Sequence, residues 1–354
     1  MILARRPSIL VVGGGPVGLC TAIALLQAGH RVTIIDSGLK AAGWASGGML
    51  APLYEMSTDQ SCPDAFLHFA LESARLWQDF AQDCAIRLQS PTLFLARNTQ
   101  EAETLESVAR RADDLGLGIS AVAVPYDLKA CAAYHAPSDQ VLEPRTALKS
   151  LLNRFRALGG DFVIGHVEAV GPHKLQLHTG TLLEADVILL AHGFGAAGLA
   201  AQVPTLRALS SVKGQMLRVI HSELSGSVVR AGRIYLLSRG NSLVIGATSD
   251  PLAPHDLKVE IDPVLALLAE AKALLPSLTN TSVVESWAGL RPDTPDHIPL
   301  LGSSGVEGVY LATGTYRNGW LLAPAIGTYF SQLISGKTPD KKLIDLFAPD
   351  RFSS

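Results

Sequence analysis

Three observations predict an α/β (α+β) chain of two domains. The chain opens with an apolar strand, a glycine-rich turn, a helix and a second strand; a later strand again runs into a glycine turn at 187–195; and between Lys213 and Thr248 short strands follow one another at hairpin spacing. The chain has 354 residues, 48% hydrophobic and 17% charged. At roughly 150 residues per domain, that is enough for about two cores and excludes a disordered or fibrous chain. The expected layout is a Rossmann-like nucleotide-binding domain assembled from 1–85, 145–212 and 284–354. Into it is inserted a mainly antiparallel sheet domain from 86–144 and 213–283.

Ser8-Ile9-Leu10-Val11-Val12 reads as a fully buried strand. Residues Pro16 to Ala28 carry apolar side chains at helical spacing. Pro16 suits a first helical turn, where a missing N–H costs nothing, and Gly29 suits a left-handed helix end. Arg31 to Asp36 is the second strand, closing a β-α-β unit whose near-continuous apolar strands mark a sheet covered on both faces. Pro63 to Asp83 and Thr99 to Leu115 are predicted helices. Pro91 to Ala96 and Ala121 to Pro125 are predicted short strands, and Arg145 to Leu158 is a helix ended by Gly159-Gly160. Phe162 to Ile164, Lys174 to Leu177 and Val187 to Ala191 return to strands, the last closing on His192-Gly193-Phe194-Gly195. Gln215 to Ile220, Arg233 to Ser238 and Ser242 to Thr248 form an antiparallel set whose last two members meet at Arg239-Gly240-Asn241. A helix over Pro263 to Leu275, strands at Val283 to Trp287 and Val309 to Ala312, and a helix from Leu321 to Ile334 complete the chain.

The 29 basic and 32 acidic side chains give a net charge of −3, and no Lys/Arg run exceeds Arg5-Arg6. No footprint for nucleic acid or anionic lipid results, so the expected partner is a small molecule. Cys20, Cys62, Cys84 and Cys131 fit neither a metal knuckle nor a dense disulfide framework, which suggests reduced thiols and a cytoplasmic setting. No metal site is expected. The Gly13-Gly14-Gly15-Pro16 interruption and the lack of an A-x-A site argue against a secretory leader, and no stretch of about 18 apolar residues offers a membrane span.

Gly13-x-Gly15-x-x-Gly18 between strand and helix, with Asp36 ending the next strand, is a dinucleotide-binding pattern. The first glycine makes the turn, the second lets the backbone approach a pyrophosphate, and the third lets helix pack on strand. The helix N-terminus then offers positive potential to the phosphates, while Asp36 accepts from ribose hydroxyls and disfavours a 2′-phosphate. This pattern does not separate FAD from NAD.

Further blocks do separate them. Ala42-Gly43-Trp44-Ala45-Ser46-Gly47-Gly48-Met49-Leu50-Ala51-Pro52 resembles the small-residue loop that wraps the flavin in the D-amino-acid oxidase superfamily. Trp287 to Asp296 and Ala312 to Pro324 resemble the C-terminal signatures of glycine oxidases, the flavoenzymes of thiazole biosynthesis within that superfamily. Leu142-Glu143-Pro144, Val212 to Gln215 and Leu243 to Thr248 resemble the same family, so the likeness covers nearly the whole chain. It implies FAD contacts at Gly13, Gly15, Pro16, Val17, Gly18, Asp36 and Ser37, and at Ala45, Ser46, Gly47, Gly48 and Met49. It implies others at Val167, Gly193, Gly289, Gly314, Tyr316, Arg317, Asn318, Gly319 and Trp320. No Cys or His stands at a tether position of the family, which implies non-covalent FAD.

The resemblance also makes Arg291 the guanidinium that holds a substrate carboxylate, a role suited to a planar bidentate fork. Tyr235 matches the tyrosine that faces that carboxylate, and Arg317 matches a further arginine near the flavin. Period-two alternation puts Arg233, Tyr235, Leu237 and Arg239 on one face, opposite Ile234, Leu236 and Ser238. The sequence departs from the family at Thr315, Trp320, Arg233, Ser249 and Gly195. Trp320 is expected to reshape the pocket, and Arg233 suggests room for a second substrate carboxylate.

The implied reaction is hydride transfer from the α-carbon of a neutral amine to flavin N5. The resulting imine hydrolyses to an α-keto acid and ammonia, with oxygen reduced to hydrogen peroxide, and glycine would give glyoxylate. A related D-amino-acid or secondary-amine dehydrogenase, or a hydrogen cyanide synthase-like subunit, would pass the electrons to another acceptor. An NAD-dependent dehydrogenase would leave the 45–52 and 314–324 blocks unexplained, and a flavin-binding scaffold would not need Arg291 and Tyr235. The sequence leaves a homo-oligomer open.

Overall fold

The apolar run at the start of the chain becomes the centre of a sheet. In the computed structural model, which describes residues 6–52, 62–125, 127–222, 224 and 228–352, Ser8–Val12 lies between Val187–Leu190 and Arg31–Asp36, parallel to both. Asp161–Ile164 extends one edge and Val309–Thr313 the other. The antiparallel Leu300–Ser303 closes a six-stranded sheet. Ile9 and Val11 face one apolar cluster and Leu10 and Val12 another. A strand covered on both faces has no polar face to show, which accounts for its unbroken hydrophobicity.

Helix Pro16–Gln27 packs against the sheet and against helix Gly319–Ile334. That crossing is close: a Cβ on Gly327 would lie 2.9 Å from the Cys20 carbonyl oxygen. Helix Asp64–Asp83 covers the pair with Trp77, fully buried, whose indole N–H donates to the Trp320 carbonyl at 2.8 Å. Burying one such side chain stabilises the fold by about 1.5–3 kcal/mol. Burial also pushes the Cys20 thiol up, and Cys84, which lies against the same core, up to about 12.

The second sheet has eight strands in the order Val283–Asp293, Ser210–Ile220, Ser242–Gly246, Ile234–Arg239, Val228–Ala231, Thr92–Ala96, Ala132–Ala136, Ser120–Val122. All neighbours are antiparallel except Val228–Ala231 and Thr92–Ala96. Helix Ile261–Leu274 covers one face, where Leu267, Ala271 and Leu274 meet Leu217, Leu236 and Ile245. The other face carries Met216, Tyr235, Leu237, Val244 and Trp287 and packs on Ala45. Tyr235 and Leu237 thus share a face, with Ile234 and Leu236 on the opposite one, as period two requires.

Several elements differ from their sequence pattern. The strand expected at Val283 to Trp287 runs on to Asp293, although Gly289 and Pro292 interrupt the apolar run. It is an edge strand, where a proline removes no ladder donor that a second neighbour needs. Ala132–Ala136, Val167–Gly171, Val228–Ala231 and Leu300–Ser303 are strands too short or too mixed to stand out as a period-two run, and helix Lys341–Phe347 was not expected. The strand at Ala121 to Pro125 shortens to Ser120–Val122.

A buried lysine fastens the loop after Gly246 to this sheet. Lys213 is 1% exposed, and its Nζ lies 2.8 Å from Asp256 Oδ1 and 3.5 Å from Glu260 Oε1. Burial acts to lower Lys213, but the Asp256 hydrogen bond and the two carboxylates outweigh it and hold the ammonium above the usual lysine value. The Lys213 hydrogen bond in turn holds the Asp256 carboxyl below its usual range.

Two outcomes are expected. Gly327→Ala places a methyl against helix backbone that cannot yield, so urea unfolding should show a loss of about 1–3 kcal/mol; an unchanged midpoint would contradict the close crossing. The stabilisation from Asp256 is complete above about pH 3.9, the ordinary aspartate value, and is lost as pH falls through its lower folded value. Asp256→Asn should therefore lower Tm at pH 7 and flatten the Tm profile below pH ~4, whereas parallel profiles would remove the ion pair from the account.

Candidate active site

The glycine turn has the geometry that its residues permit and larger ones would not. Gly13 holds φ +112°, and a Cβ there would sit 2.6 Å from the Ala191 carbonyl oxygen; one on Gly18 would sit 1.9 Å from the Gly13 oxygen. Gly15, the N-cap of helix Pro16–Gln27, faces open space. No side chain caps this helix and its first turn carries no acid, so the N–H groups near Val17 and Gly18 are available to an anion. Asp36 accepts from Gly14 N at 2.6 Å and from Gly38 N at 2.7 Å. The carboxylate is thereby fixed, and each oxygen keeps a lone pair for a hydroxyl. Ser37 is exposed beside it, and Val167 shares an apolar cluster with Val12 and Ile35 beyond the same strand ends. The second glycine turn places Gly193 at φ +58°, its carbonyl accepting from Thr313 Oγ1 at 3.0 Å. Burial, with His166 nearby, pushes His192 down to about 4, so the imidazole at this turn is neutral. These features fit a dinucleotide.

The segment after Asp36 is small because three walls press on it. Ala42–Ala45 forms a single helical turn. A Cβ on Gly43 would come within 2.4 Å of Pro16 Cδ, and one on Gly289 within 2.7 Å of the Ala45 Cβ. Trp320 Nε1 donates to the Gly43 carbonyl at 2.9 Å and Trp287 Nε1 to the Ala45 carbonyl at 2.7 Å. Ser46 Oγ donates back to the Gly43 carbonyl at 3.1 Å. Gly47 faces the Tyr235 ring, 3.0 Å from where a Cβ would sit; Gly48, at φ +74°, would bring a Cβ to 2.4 Å from the Leu142 carbonyl oxygen. Met49 then pairs with Val141.

On the facing sheet, two glycines make room for two flat polar groups. The Arg291 guanidinium lies across Gly214, where a Cβ would be 2.4 Å from Nη2, and Nη2 donates to the Thr248 carbonyl at 3.2 Å. The Tyr235 ring lies across its ladder partner Gly246, and its hydroxyl donates to Met216 Sδ at 3.4 Å. Arg317 is exposed; its Nη2 donates to Ser249 Oγ at 3.4 Å and its guanidinium stands 5.1 Å from the Tyr316 ring. The two guanidiniums therefore reach consecutive residues. Tyr316, at φ +47°, is a bulky residue in the left-handed region, held by its N–H to the Pro292 carbonyl and by stacking 4.6 Å from His297. Gly314 packs on Thr294, and Asn318 and Gly319 open helix Gly319–Ile334 with no side chain capping it.

Two expectations are corrected. Trp320 is 3% exposed and packs against Trp77 beneath Gly43, so its indole serves the core instead of reshaping a pocket. Arg233 precedes the strand Ile234–Arg239, and its side chain is 73% exposed and ion-paired with Glu270, which Arg97 also approaches. An outward cation with its own carboxylate offers nothing to a substrate facing Tyr235. The sequence reading gave Arg239 no role beyond its place on the Tyr235 face, and it missed Arg145, whose guanidinium lies 3.7 Å from the Trp44 ring and 4.7 Å from that of Trp287. An arginine four residues after Tyr235 on the same face was the available signal. Pro52 is described, but the rest of the loop, 53–61, lies outside the described residues.

Among the described residues, no helix is long and apolar enough to cross a membrane and no cluster of three or more His, Cys, Asp or Glu side chains could hold a metal ion. A family profile described as FAD dependent oxidoreductase matches residues 8–333. The glycine oxidase of Pseudomonas putida is 32% identical over 357 residues, covering 94% of this chain and 95% of that protein. A bifunctional ThiO/ThiG protein of Trichormus variabilis is 30% identical over 97% of this chain and 55% of its own length. The crystal structure of glycine oxidase from Geobacillus kaustophilus superposes with a TM-score of 0.89 at 28% identity, covering 98% of this chain and 99% of that one. With the open helix N-terminus at Gly15, the carboxylate of Asp36 and the small-residue turn between two sheets all suited to a flavin dinucleotide, the chain belongs to the D-amino-acid oxidase family of FAD-dependent oxidoreductases.

Proposed function

We propose that this protein catalyses the oxidative deamination of glycine or another small amine or D-amino acid. The products are the α-keto acid, ammonia and hydrogen peroxide, with water supplying the keto oxygen and molecular oxygen taking up the two electrons. The observation that carries this reading is the pairing of Arg291 over Gly214 with Tyr235 over Gly246, on a sheet face that meets the Gly47 segment. FAD, bound non-covalently, supplies the two-electron acceptor.

Arg291 binds the substrate carboxylate through a bidentate, charge-assisted pair, and its bond to the Thr248 carbonyl sets the plane of the fork. The Tyr235 hydroxyl turns from its weak sulfur acceptor, Met216, to a carboxylate oxygen, and its ring walls one side of the α-carbon. Holding the carboxylate at two points fixes the direction of the α-C–H bond, so catalysis rests on orientation and no side chain has to act as acid or base. Arg317 adds positive potential at the rim. The uncapped helix starting at Gly319, with Asn318 before it, would offer its N-terminal N–H groups to a bound flavin, whose ring gains negative charge on reduction. Asp36 and the Gly13–Gly18 turn would hold the ribose and pyrophosphate. The match to a ThiO/ThiG protein supports the resemblance to the glycine oxidases of thiazole biosynthesis.

Anaerobic addition of glycine, sarcosine, D-alanine and D-proline to the purified yellow protein tests the reading. Bleaching of the band near roughly 450 nm by one of them, with recovery in air and peroxide release, is the expected result. Bleaching without recovery would replace oxygen by another acceptor, and a flavin that no amine reduces would overturn the proposal. Arg291→Ala should lower kcat/KM by about 10²–10⁴ while FAD stays bound, because one charge-assisted fork is lost; unchanged kinetics would remove it from the carboxylate site. Asp36→Ala should instead weaken FAD retention and leave turnover at saturating FAD nearly intact, as equilibrium dialysis and rates measured with added FAD would show.

A further inference from the structure

Arg239 ends the strand that carries Tyr235, on the same face, and its guanidinium is spent on four acceptors at once. Nη1 donates to Gln89 Oε1 at 3.1 Å and to the Ser238 carbonyl at 3.2 Å; Nη2 donates to the Gly47 carbonyl at 3.2 Å and to the Leu142 carbonyl at 2.9 Å. Glu143 supplies the nearby negative charge, which opposes the effect of burial on the guanidinium. The segment that Arg239 reaches is bracketed on its other side: Leu142 N–H donates to the Gly48 carbonyl at 2.9 Å, and Met49 is laddered to Val141. A Cβ added at Gly47 would lie 3.0 Å from the Tyr235 ring. One strand face therefore constrains Gly47 in two ways, the Arg239 fork bonding its carbonyl and the Tyr235 ring leaving no room for a side chain there.

We propose that Arg239 is a positioning residue for the cofactor, whose guanidinium sets the separation between the Tyr235 face and the Gly47–Met49 segment that FAD must enter. The proposal rests on the FAD-binding reading of that segment and is independent of which amine is the substrate. A planar fork with five donors on a fixed frame can span carbonyls from two chain segments; an ammonium, with its donors on one nitrogen, cannot hold the same spacing. The surroundings are built to keep it in place. Arg145, held between Trp44 and Trp287 and ion-paired to Glu285 at 2.8 Å, closes the same junction from the helix side, so the Trp44–Gly48 turn is gripped at both ends.

The test compares wild type, Arg239→Lys, Arg239→Met and Gly47→Ala as apoproteins titrated with FAD and as holoproteins in visible circular dichroism. The apoprotein Tm is measured alongside. Arg239→Lys is expected to raise the FAD Kd roughly tenfold or more and to change the flavin dichroism. Its apoprotein should melt within about 3 °C of wild type, because the charge opposite Glu143 is kept. Gly47→Ala moves the same segment from its other contact and should reproduce the dichroism change. A wild-type Kd and dichroism in Arg239→Lys would overturn the proposal, as would FAD weakening that only tracks a fall in apoprotein Tm across the series. Should Arg239→Met fail to fold, the Lys and Ala variants still decide. None of these readouts uses an amine, so a failure of the amine-oxidase reading would leave this outcome legible.

Discussion

The close approach of two sheets across one short turn sets the terms for the rest of the structure. The Ala42–Ala45 turn is pressed between the start of helix Pro16–Gln27 and the long edge strand Val283–Asp293, with Gly43 against Pro16 and Ala45 against Gly289. Neither contact leaves room for a side chain larger than those present. Two tryptophans then direct their indole N–H groups at the carbonyls of this compressed turn, Trp287 at Ala45 and Trp320, alongside Ser46 Oγ, at Gly43. An unmet buried carbonyl costs on the order of 1–3 kcal/mol, so the Trp287 indole is as necessary to the turn as the glycines are. The nucleotide turn at Gly13–Gly18 and the polar face at Arg291 and Tyr235 are brought together only because this turn lets the sheets approach.

Where the local pattern and the tertiary requirement coincide, the sequence was readable. The strands at Ser8–Val12 and Arg31–Asp36 and the helix between them combine propensity, capping and burial in one register, and Asp36 sits where its two backbone donors hold it. The family blocks carried the rest of the site, since Gly47, Gly289 and Arg291 have no local signature that separates them from ordinary turn or strand residues. The missed elements share a cause. Val228–Ala231 and Ala132–Ala136 are short strands whose pairing partners lie far away in sequence, Thr92–Ala96 among them, so nothing within a local window announces them.

The two corrected residues failed in the same way. Arg233 was assigned to the Tyr235 face by counting in twos, but the strand begins at Ile234, and outside it alternation no longer dictates direction. Glu270, from the helix that covers the other face, then draws the guanidinium outward. Trp320 was read as lining a pocket because it stands among flavin-side residues. It is the first residues of a helix that face the site, while the indole follows the helix's buried side to Trp77. Sequence position located both residues well and oriented both poorly, which is the usual limit where an element starts.

The placement of charge bears on how the proposed site would select its substrate. Lys213, buried on strand Ser210–Ile220, meets its carboxylates on a loop outside the site, while Arg145 and Arg218 share Glu285 and Arg233 has Glu270. Arg291 lies over Gly214, and its bond to the Thr248 carbonyl fixes the plane of the guanidinium. Carboxylates thus hold Lys213, Arg145, Arg218 and Arg233, while a backbone dipole at Thr248 helps orient Arg291. On the proposed reading, a substrate carboxylate would pair with this fork, and such a pair gains strength where water is excluded. Recognition by charge, with orientation by backbone, would then leave the α-carbon beside Tyr235 with its direction already chosen.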